Sequence, residues 1–560
     1  MDSNKRRIFT YAAWAVLALL TLLRLALPQG LPLQFVAGTQ YDDVMQIQKA
    51  MSIANGEWLG TYGPATLIKG VGYPLITACF HLLHIPYIFG WQALYVVACC
   101  LSIWAVSPVV QNKVLLAAGY LFLLFNPISF AMSLTRLYRD IGYYSLAFMC
   151  VSATLGFLLR SPREKAPWPW ALAAGLFLAL AANTREDSHW LYIYVAACAV
   201  AYCIFRVVVF KKEWKKYLAL PLALLIGWGS FVLPVCSVNY ACYGTFVLDE
   251  YNSGAYARAF GALSRVNNEE NSPHLVIPEE QRMLLYELSP AFAELKEVLD
   301  GEDTPFAAWK EVHGEYMAGY FSFALRDAAA MIGKYKDAAT ANAYFNQLAD
   351  EVNAACDAGL ISAGPRRSGM VPRFYPWMLG PLLQSTGGRI LDVVCCADIT
   401  PLPSPANEDD AYLRVFEDFT GSTIAANRYM PDGQIVENYH YSGFRLWMQR
   451  GMRVLVILYS WLLPVLSVLA LAAFVAVFIR ALRKKEAKMR FWMLWVASGS
   501  LLCAFVLRCF MVAYAFVTFS TGVSAAYSAA GYPLLLAFIF SVFALFFATL
   551  PQKVKAAGEA

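Results

Sequence analysis

The residues best suited to chemistry come early in the chain, in the tripeptide Tyr41-Asp42-Asp43, which follows the first apolar segment. Adjacent carboxylates beside a membrane anchor are costly to place, because a charge near hydrocarbon loses its water. A carboxylate held there can accept the proton of an attacking hydroxyl group. The same polar segment continues to Lys69, whose ammonium group suits an anion. Asp42 and Asp43 are therefore candidate catalytic residues, and Lys69 is a candidate anion-binding residue.

Two later polar patches place arginines between apolar segments, in Arg136-Leu137-Tyr138-Arg139-Asp140 and in Asn183-Thr184-Arg185-Glu186-Asp187. The planar fork of a guanidinium group matches the oxygens of a phosphate. Basic groups held near a reacting centre can stabilise a phosphate as it departs. We therefore take Arg139 and Arg185 as candidate phosphate-binding residues.

Simpler interpretations of these residues stay open on the sequence alone. Asp42 fits a helix-capping pattern with Thr39 as the N-cap residue. The two arginines could form local ion pairs with Asp140 and Glu186, and Lys69 could extend its charge to the membrane interface. What favours a shared site is that all three patches are expected on one face of the membrane.

The composition predicts an all-α polytopic membrane protein. The chain has 560 residues, of which 59% are hydrophobic and only 15% charged, and its mean hydropathy is +0.49. Soluble proteins carry about a quarter charged residues. The apolar residues form runs of about 20, which is the length that crosses a bilayer as a helix.

Clusters of lysine and arginine between these runs predict the orientation, because cytoplasmic loops are enriched in both residues. The clusters lie at residues 5–7, 160–165, 211–216 and 480–490. We interpret them as topology signals and expect no nucleic-acid partner. Both termini are then cytoplasmic, the candidate site is extracytoplasmic, and the protein is a multi-pass protein of the plasma (inner) membrane.

About ten spans follow from this orientation. They are predicted at residues 8–27, 91–110, 113–132, 141–159, 168–182, 190–210, 217–235, 452–479, 491–514 and 529–550. The apolar run at residues 73–89 would reverse the side of every later basic cluster if it crossed the membrane. We therefore predict that it lies along the outer interface.

The same pattern predicts three parts of the chain. Residues 1–238 form a transmembrane catalytic module with a first external loop at 28–90. Residues 239–446 form a mostly helical extracytoplasmic domain, and residues 447–560 form a C-terminal segment of three transmembrane helices.

The order of these motifs resembles the GT-C superfamily of membrane glycosyltransferases, which includes protein O-mannosyltransferases and lipid A aminoarabinose transferases. Tyr41-Asp42-Asp43 stands where that superfamily carries its acidic motif, and Gly56-Glu57-Trp58-Leu59-Gly60 followed by Lys69-Gly70-Val71-Gly72-Tyr73-Pro74-Leu75 is similar to its continuation. Gly70-Val71 replaces the prolines of the family pattern. Arg136–Asp140 and Thr184-Arg185-Glu186-Asp187 resemble its later polar elements.

The resemblance implies transfer of a hexosyl or pentosyl group from a polyprenyl-phosphate-linked donor to a glycan, lipid or protein acceptor, within membrane lipid. Inversion would follow from a single displacement, with Asp42 as general base. Asp43 would orient the acceptor or help to hold a divalent cation; no cofactor is certain.

The resemblance also implies roles for the remaining candidates. Lys69, Arg139 and Arg185 would bind the donor phosphate. Asp140, Glu186 and Tyr73 would bind or orient the substrate, and two arginines within apolar runs, Arg24 and Arg508, are weaker candidates.

Two other functions remain as alternatives. A transporter or flippase would place ionisable residues near the middle of the bilayer or show repeat symmetry, and neither is evident in the sequence. An envelope-polymer ligase acting on lipid-linked saccharides would use similar arginines.

Overall fold

The computed structural model describes residues 3–36, 40–160, 167–209, 219–267, 272–310, 314–401, 406–429, 434–437, 443–483, 489–519 and 525–549. Helices dominate this part of the chain, as the composition predicts. Seven helices are long and apolar enough to cross a membrane, and three shorter apolar helices accompany them. An all-α polytopic membrane protein with about ten spans is thereby confirmed. Most residues of the basic clusters lie outside the described residues or have undescribed side chains, so the orientation stays a prediction.

The described residues in the first half of the chain contain nine α-helices. They are α1 (Ser3–Ala26), α2 (Met45–Ala54), α3 (Gly72–Leu82), α4 (Tyr87–Val106), α5 (Lys113–Leu124), α6 (Asp140–Leu158), α7 (Trp168–Ala182), α8 (His189–Val209) and α9 (Ala219–Tyr243). Helix α3 has 11 residues and is about 16 Å long at 1.5 Å per residue. It is too short to cross about 30 Å of hydrocarbon, as predicted for the run at residues 73–89.

The long insertion after α9 is mostly helical. Its elements are α10 (Gly254–Ser264), α11 (Glu279–Leu288), α12 (Pro290–Ala293), α13 (Lys296–Asp300), α14 (Ala318–Met331), α15 (Ala338–Asp357), α16 (Leu379–Val394), β1 (Ala406–Asp409), α17 (Asp410–Thr420), β2 (Ala426–Tyr429) and β3 (Ile435–Glu437). Strand β2 pairs parallel to β1 and antiparallel to β3. Helices α10, α14 and α15 share a hydrophobic core of their own.

Among the described residues after 437, the structure has three helices, namely α18 (Gly443–Arg483), α19 (Met489–Phe519) and α20 (Gly531–Thr549). Helix α6 lies at the centre of the membrane bundle, and almost every one of its residues is buried. Helices α7 and α9 approach each other backbone to backbone. A Cβ atom on Gly175 would lie 2.0 Å from the carbonyl oxygen of Leu224, and one on Gly227 would lie 2.0 Å from that of Leu172. Small residues permit such close packing between membrane helices.

This packing brings several loops to one end of the bundle. Helices α4, α6 and α8 begin at that end, and α7 finishes there, so the 136–140 and 183–188 segments lie side by side. The long loop between α1 and α4 covers the same end, since Gln34 pairs with Arg136 as an isolated β-bridge. The three polar patches of the sequence therefore meet.

Candidate functional site

A π-helical turn, Gln40–Val44, holds the two adjacent aspartates. The Asp43 side chain is fully buried. Its carboxylate accepts hydrogen bonds from Arg136 Nε at 2.7 Å and from the Val36 amide at 3.0 Å. The Asp42 side chain keeps 31% of its surface exposed. Asp42 is therefore the aspartate that a substrate can reach, while Asp43 fixes the position of Arg136. Thr39, the proposed N-cap residue, lies outside the described residues.

Lys69 links the acidic turn to the rest of the site. Its Nζ donates to Asp42 Oδ1 at 2.5 Å, to the Tyr41 carbonyl at 2.8 Å and to the Tyr138 hydroxyl at 3.1 Å. These three acceptors match the three protons of an ammonium group. Lys69 is thus fully bonded in this structure, and any further ligand of its ammonium group would have to replace one of the three partners.

The glycines after Lys69 explain why prolines are absent from that position. A Cβ atom on Gly70 would lie 2.3 Å from the Asn183 carbonyl oxygen, and one on Gly72 would lie 2.7 Å from Thr184 Oγ1. The Gly72 amide also donates to the Asn183 carbonyl at 3.0 Å. The Lys69 segment is therefore held directly against the 183–188 loop, where any side chain at residue 70 would collide with backbone.

The pairs of Asp42 with Lys69 and of Asp43 with Arg136 form a first set of ion pairs. Pairs between the 136–140 and 183–187 patches form a second set. Arg139 pairs with Glu186, and Arg185 pairs with Asp140 through NH1. Arg185 also donates through Nε and NH2 to both oxygens of Asp187, at 2.9 and 3.0 Å. Every nitrogen of Arg185 is thus bonded to a carboxylate. Arg139 differs, because its buried Nε has no hydrogen-bond partner among the described residues.

Tyr138 joins the two sets of ion pairs. Its ring centroid lies 5.3 Å from Lys69 Nζ and 4.9 Å from the guanidinium carbons of both Arg136 and Arg139. A cation over an aromatic face is attracted by the negative face of the ring. Three cations from two loops are therefore gathered around one aromatic residue.

Burial and charge pairing shift the pKa values of the two aspartates in opposite directions. Burial disfavours the charged form of Asp42, but Lys69 and then Arg139 and Arg136 outweigh it and lower its pKa to about 2. For Asp43 burial prevails and raises the pKa to about 6, although Arg136 acts against it. Burial also lowers the pKa of Lys69, in spite of the neighbouring Asp42. A carboxylate with so low a pKa as that of Asp42 is a weak base while Lys69 remains its partner.

A cavity of about 310 Å³ adjoins the second set of ion pairs. Glu186, His189, Asp249 and Asn252 are among the residues that line it. The buried Oε1 of Glu186 has no hydrogen-bond partner in the described part of the chain. The cavity is therefore polar, and Glu186 places beside it a hydrogen-bond acceptor that has no partner among the described residues.

The residues do not fit a divalent cation at Asp43. Both oxygens of Asp43 accept from the Arg136 guanidinium, and one of them also accepts from the Val36 amide. The described residues contain no group of three His, Cys, Asp or Glu side chains that could hold a metal ion. The guanidinium group of Arg136, and not a metal ion, neutralises this carboxylate in the structure.

Most of the candidate residues from the sequence come together here, and two others, Tyr73 and Arg24, lie apart from the exposed site. Tyr73 is buried, its hydroxyl lies 2.6 Å from that of Tyr87, and its ring stacks on Trp91. These contacts suit a positioning role beneath the site, and the role of Tyr73 as a substrate contact stays a prediction. Arg24 donates to Gln92 and to the Leu124 carbonyl between helices.

Arg508 belongs to the network, since its NH1 donates to Asp187 at 2.8 Å. The structure adds three residues for which the sequence gave no role, namely Arg136, Tyr138 and Lys49. Arg136 and Tyr138 stand in a patch that the sequence marked as polar, but their contacts depend on folding of the loop. Lys49 occupies the buried side of α2, where a lysine is unusual.

The insertion closes the outer side of the acidic turn. The Tyr41 ring stacks on Phe323 with centroids 4.3 Å apart, and its hydroxyl bonds to Asp327. Arg326 donates to the Pro64 carbonyl at 2.6 Å. Helix α14 therefore fixes the loop that carries Asp42 and Lys69.

No protein-family model matches the chain, and the comparison with curated proteins also gave no match. Two solved structures are similar to it, both of ArnT from Cupriavidus metallidurans. The one bound to undecaprenyl phosphate is 12% identical, aligns over 94% of this chain and 77% of that protein, and has a TM-score of 0.30. The apo structure is 12% identical over 76% of this chain and 86% of that protein, with a TM-score of 0.26. They belong to the aminoarabinose transferase group that the sequence motifs resemble, but TM-scores this low carry no weight in the functional argument.

Proposed function

We propose that the protein is a membrane glycosyltransferase that moves a hexosyl or pentosyl group from a polyprenyl-phosphate-linked donor to an acceptor on the extracytoplasmic face. The observation that supports this proposal is the network around Tyr138, which gathers three basic side chains beside an accessible carboxylate at one end of the helix bundle. A lipid-linked phosphate reaches such a place from the bilayer. An acceptor hydroxyl and the departing phosphate need a base and cations close together.

Within this proposal Arg139 is the main phosphate ligand. Its Nε is buried and has no partner among the described residues, so it can donate to a phosphate oxygen without first losing an ion pair. All nitrogens of Arg185 already serve Asp140 and Asp187, which suits a positioning residue. The cavity beside Glu186 would take the donor sugar, and the free Glu186 Oε1 would accept from a sugar hydroxyl group.

Lys69 couples donor binding to the base. A phosphate that draws the ammonium group away removes the largest influence that keeps the pKa of Asp42 low. The pKa of Asp42 then rises, and the carboxylate becomes a better acceptor for the proton of the attacking hydroxyl. The acceptor would be activated mainly when the donor is in place.

A transporter or flippase gains no support from the described residues. Its coupling sites would lie near the middle of the membrane, whereas these ion pairs gather at the helix ends. An envelope-polymer ligase would use the same cations on a lipid-linked saccharide, and a transfer assay with donors of defined length separates it from a glycosyltransferase.

Binding of a polyprenyl phosphate to the purified protein in detergent tests the phosphate site. Arg139→Lys keeps the charge but loses the fork of the guanidinium group. We expect binding to weaken roughly 10- to 150-fold, the range for a charge-assisted hydrogen bond. Arg258→Lys is the matched control, because Arg258 is exposed and pairs with Asp350 in the insertion. Equal binding by Arg139→Lys and the parent protein would show that the phosphate binds elsewhere.

A further inference from the structure

Helix α2 carries a buried lysine that the catalytic proposal does not use. Lys49 is only 4% exposed, and its Nζ makes no hydrogen bond within the described part of the chain. An ammonium group held without partners in a protein interior is strongly unfavourable. A structural lysine would normally extend its charge to water or pair with a carboxylate. Lys49 does neither, which points to a ligand that is absent here.

Lys49 lines a cavity of about 470 Å³ between α2 and the loop that follows it. The other polar lining residues supply amides and hydroxyl groups, namely Gln48, Ser52, Asn55, Thr61 and Thr66. Those on α2 are spaced three or four residues apart and so share one face of the helix. The loop comes close to this face at Gly60, whose φ of +82° favours glycine and where a Cβ atom would lie 3.2 Å from Ser52 Oγ. Amides and hydroxyl groups around one cation suit a hydroxyl-rich anion.

The cavity adjoins the proposed active site. The charges that act on Lys49 come from Lys69 on the loop, Arg326 on α14, Glu186 before α8 and Glu250 after α9. Burial, followed by the nearby cations, lowers the pKa of Lys49 to about 7. Lys49 is therefore only partly protonated in the empty cavity near neutral pH and can take up a proton when an anion arrives.

Charge balance in the neighbouring network also favours an anionic ligand at Lys49. Five carboxylates of the site are paired with five basic side chains: Asp42, Asp43, Asp140, Glu186 and Asp187 with Lys69, Arg136, Arg139, Arg185 and Arg508. The donor phosphate alone would already disturb this balance. A second anion would need a cation that no carboxylate holds, and Lys49 is such a cation.

We propose that this cavity binds an anionic, hydroxyl-rich part of the acceptor, a sugar that bears a phosphate or a carboxylate, with Lys49 as its cation. The cavity is large enough for a sugar ring and lies one helix turn beyond the turn that carries Asp42. The assignment to the acceptor rests on the proposed transferase function, whereas the binding site itself does not.

Calorimetric titration of the purified protein tests the proposal with three probes: glucose 6-phosphate, glucuronate and neutral glucose. The parent protein should bind one or both anions more tightly than glucose, and the two anions tell phosphate from carboxylate. Lys49→Met should weaken anion binding roughly 10- to 150-fold, while Lys49→Arg should retain most of it. Lys296→Met, at an exposed lysine in the insertion, should bind as the parent does.

Proton uptake gives a second readout. At about pH 8, anion binding by the parent should take up protons, seen as a dependence of the observed heat on the buffer, because an anion favours the charged form of Lys49. Lys49→Met should lose this uptake. The Lys49→Met protein should also melt no lower than the parent, since it lacks a buried amine without partners.

The Lys69→Met variant distinguishes binding in this cavity from binding at the donor site. Its affinity for the anions should stay within about threefold of the parent's affinity, well below the loss that follows removal of a charge-assisted hydrogen bond. Undiminished binding by Lys49→Met, loss of binding in Lys69→Met, or no preference of the parent for either anion would overturn the proposal. Polyprenyl phosphate binding in the same proteins reports on the transferase proposal alone, and Lys49→Met should leave it unchanged.

Discussion

Replacing Asp42 by asparagine should separate catalysis from stability. Asparagine has nearly the shape of aspartate but cannot accept a proton at neutral pH. Loss of a general base typically lowers the rate by about 10²–10⁴, which is about 2.7–5.5 kcal/mol in activation free energy at 1.36 kcal/mol per tenfold change. The amide oxygen can still accept from Lys69, which also keeps its bonds to the Tyr41 carbonyl and the Tyr138 hydroxyl.

Asp43→Asn is the matched control, because it makes the same change one residue away. Asp43 is fully buried against Arg136, and removing one member of a buried pair typically costs about 3–5 kcal/mol. The cost should fall below this range here, since 26% of the Arg136 side chain is exposed and Asp42 lies 3.6 Å from it. The Asp42 side chain is 31% exposed, and the amide oxygen that replaces its carboxylate can still accept from Lys69, so this change should cost less. Asp43→Asn should therefore lower the melting temperature more than Asp42→Asn does.

The assay follows release of polyprenyl phosphate from radiolabelled polyprenyl-phosphate sugars, with a membrane extract as the source of acceptor. Purified variants are compared at equal amounts, and thermal unfolding is measured in the same detergent. Parent-like turnover by Asp42→Asn would refute its assignment as base. A loss of turnover that tracks a loss of folded protein would place Asp42 among the structural residues.

Two further predictions concern the frame of the site. Gly70→Ala should weaken polyprenyl phosphate binding, because its Cβ atom would lie 2.3 Å from the Asn183 carbonyl oxygen and push Lys69 away from the 183–188 loop. Gly63→Ala is the control, since a Cβ atom at that residue meets nothing within 4 Å. Equal binding by the two variants would contradict the reasoning. In a background without reactive native cysteines, a cysteine at the exposed Glu57, in the loop that follows α2, should react with an impermeant external reagent, while one at the exposed Gln111 should not. The reverse pattern would invert the predicted orientation.

The helices could be predicted from the sequence because each depends on local hydropathy. Apolar runs predicted the seven long and three shorter apolar helices of the described residues, with ends that differ by up to nine residues. For example, α9 continues to Tyr243 where the sequence predicts an end at residue 235, and α18 begins at Gly443 where it predicts a start at residue 452. The three polar patches were also visible, since charged residues stand out between apolar runs. Their pairing was not predictable, because it depends on which loops the packed helices bring together.

Arg136 shows this limit most clearly. The sequence places it three residues from Arg139, and both look alike as arginines in one patch. In the fold they diverge, since Arg136 turns to Asp43 and Arg139 turns to Glu186. Lys49 was missed for another reason: it stands within an amphipathic helix, and only the fold shows that it is buried beside a cavity.

The pairing of every charged group in the network with an opposite charge has a physical reason. A site for a lipid-linked phosphate must stand at the membrane boundary, where an unpaired cation or carboxylate is costly. Ion pairs between the loops stabilise the empty site, and donor binding would then require only Lys69 to exchange its carboxylate partner for a phosphate oxygen. In this scheme Lys69 leaves Asp42 as the phosphate arrives, so the strength of the base depends on occupancy of the donor site. A carboxylate that never had a cationic partner would keep the same pKa with or without the donor, and its strength as a base could not be controlled in this way.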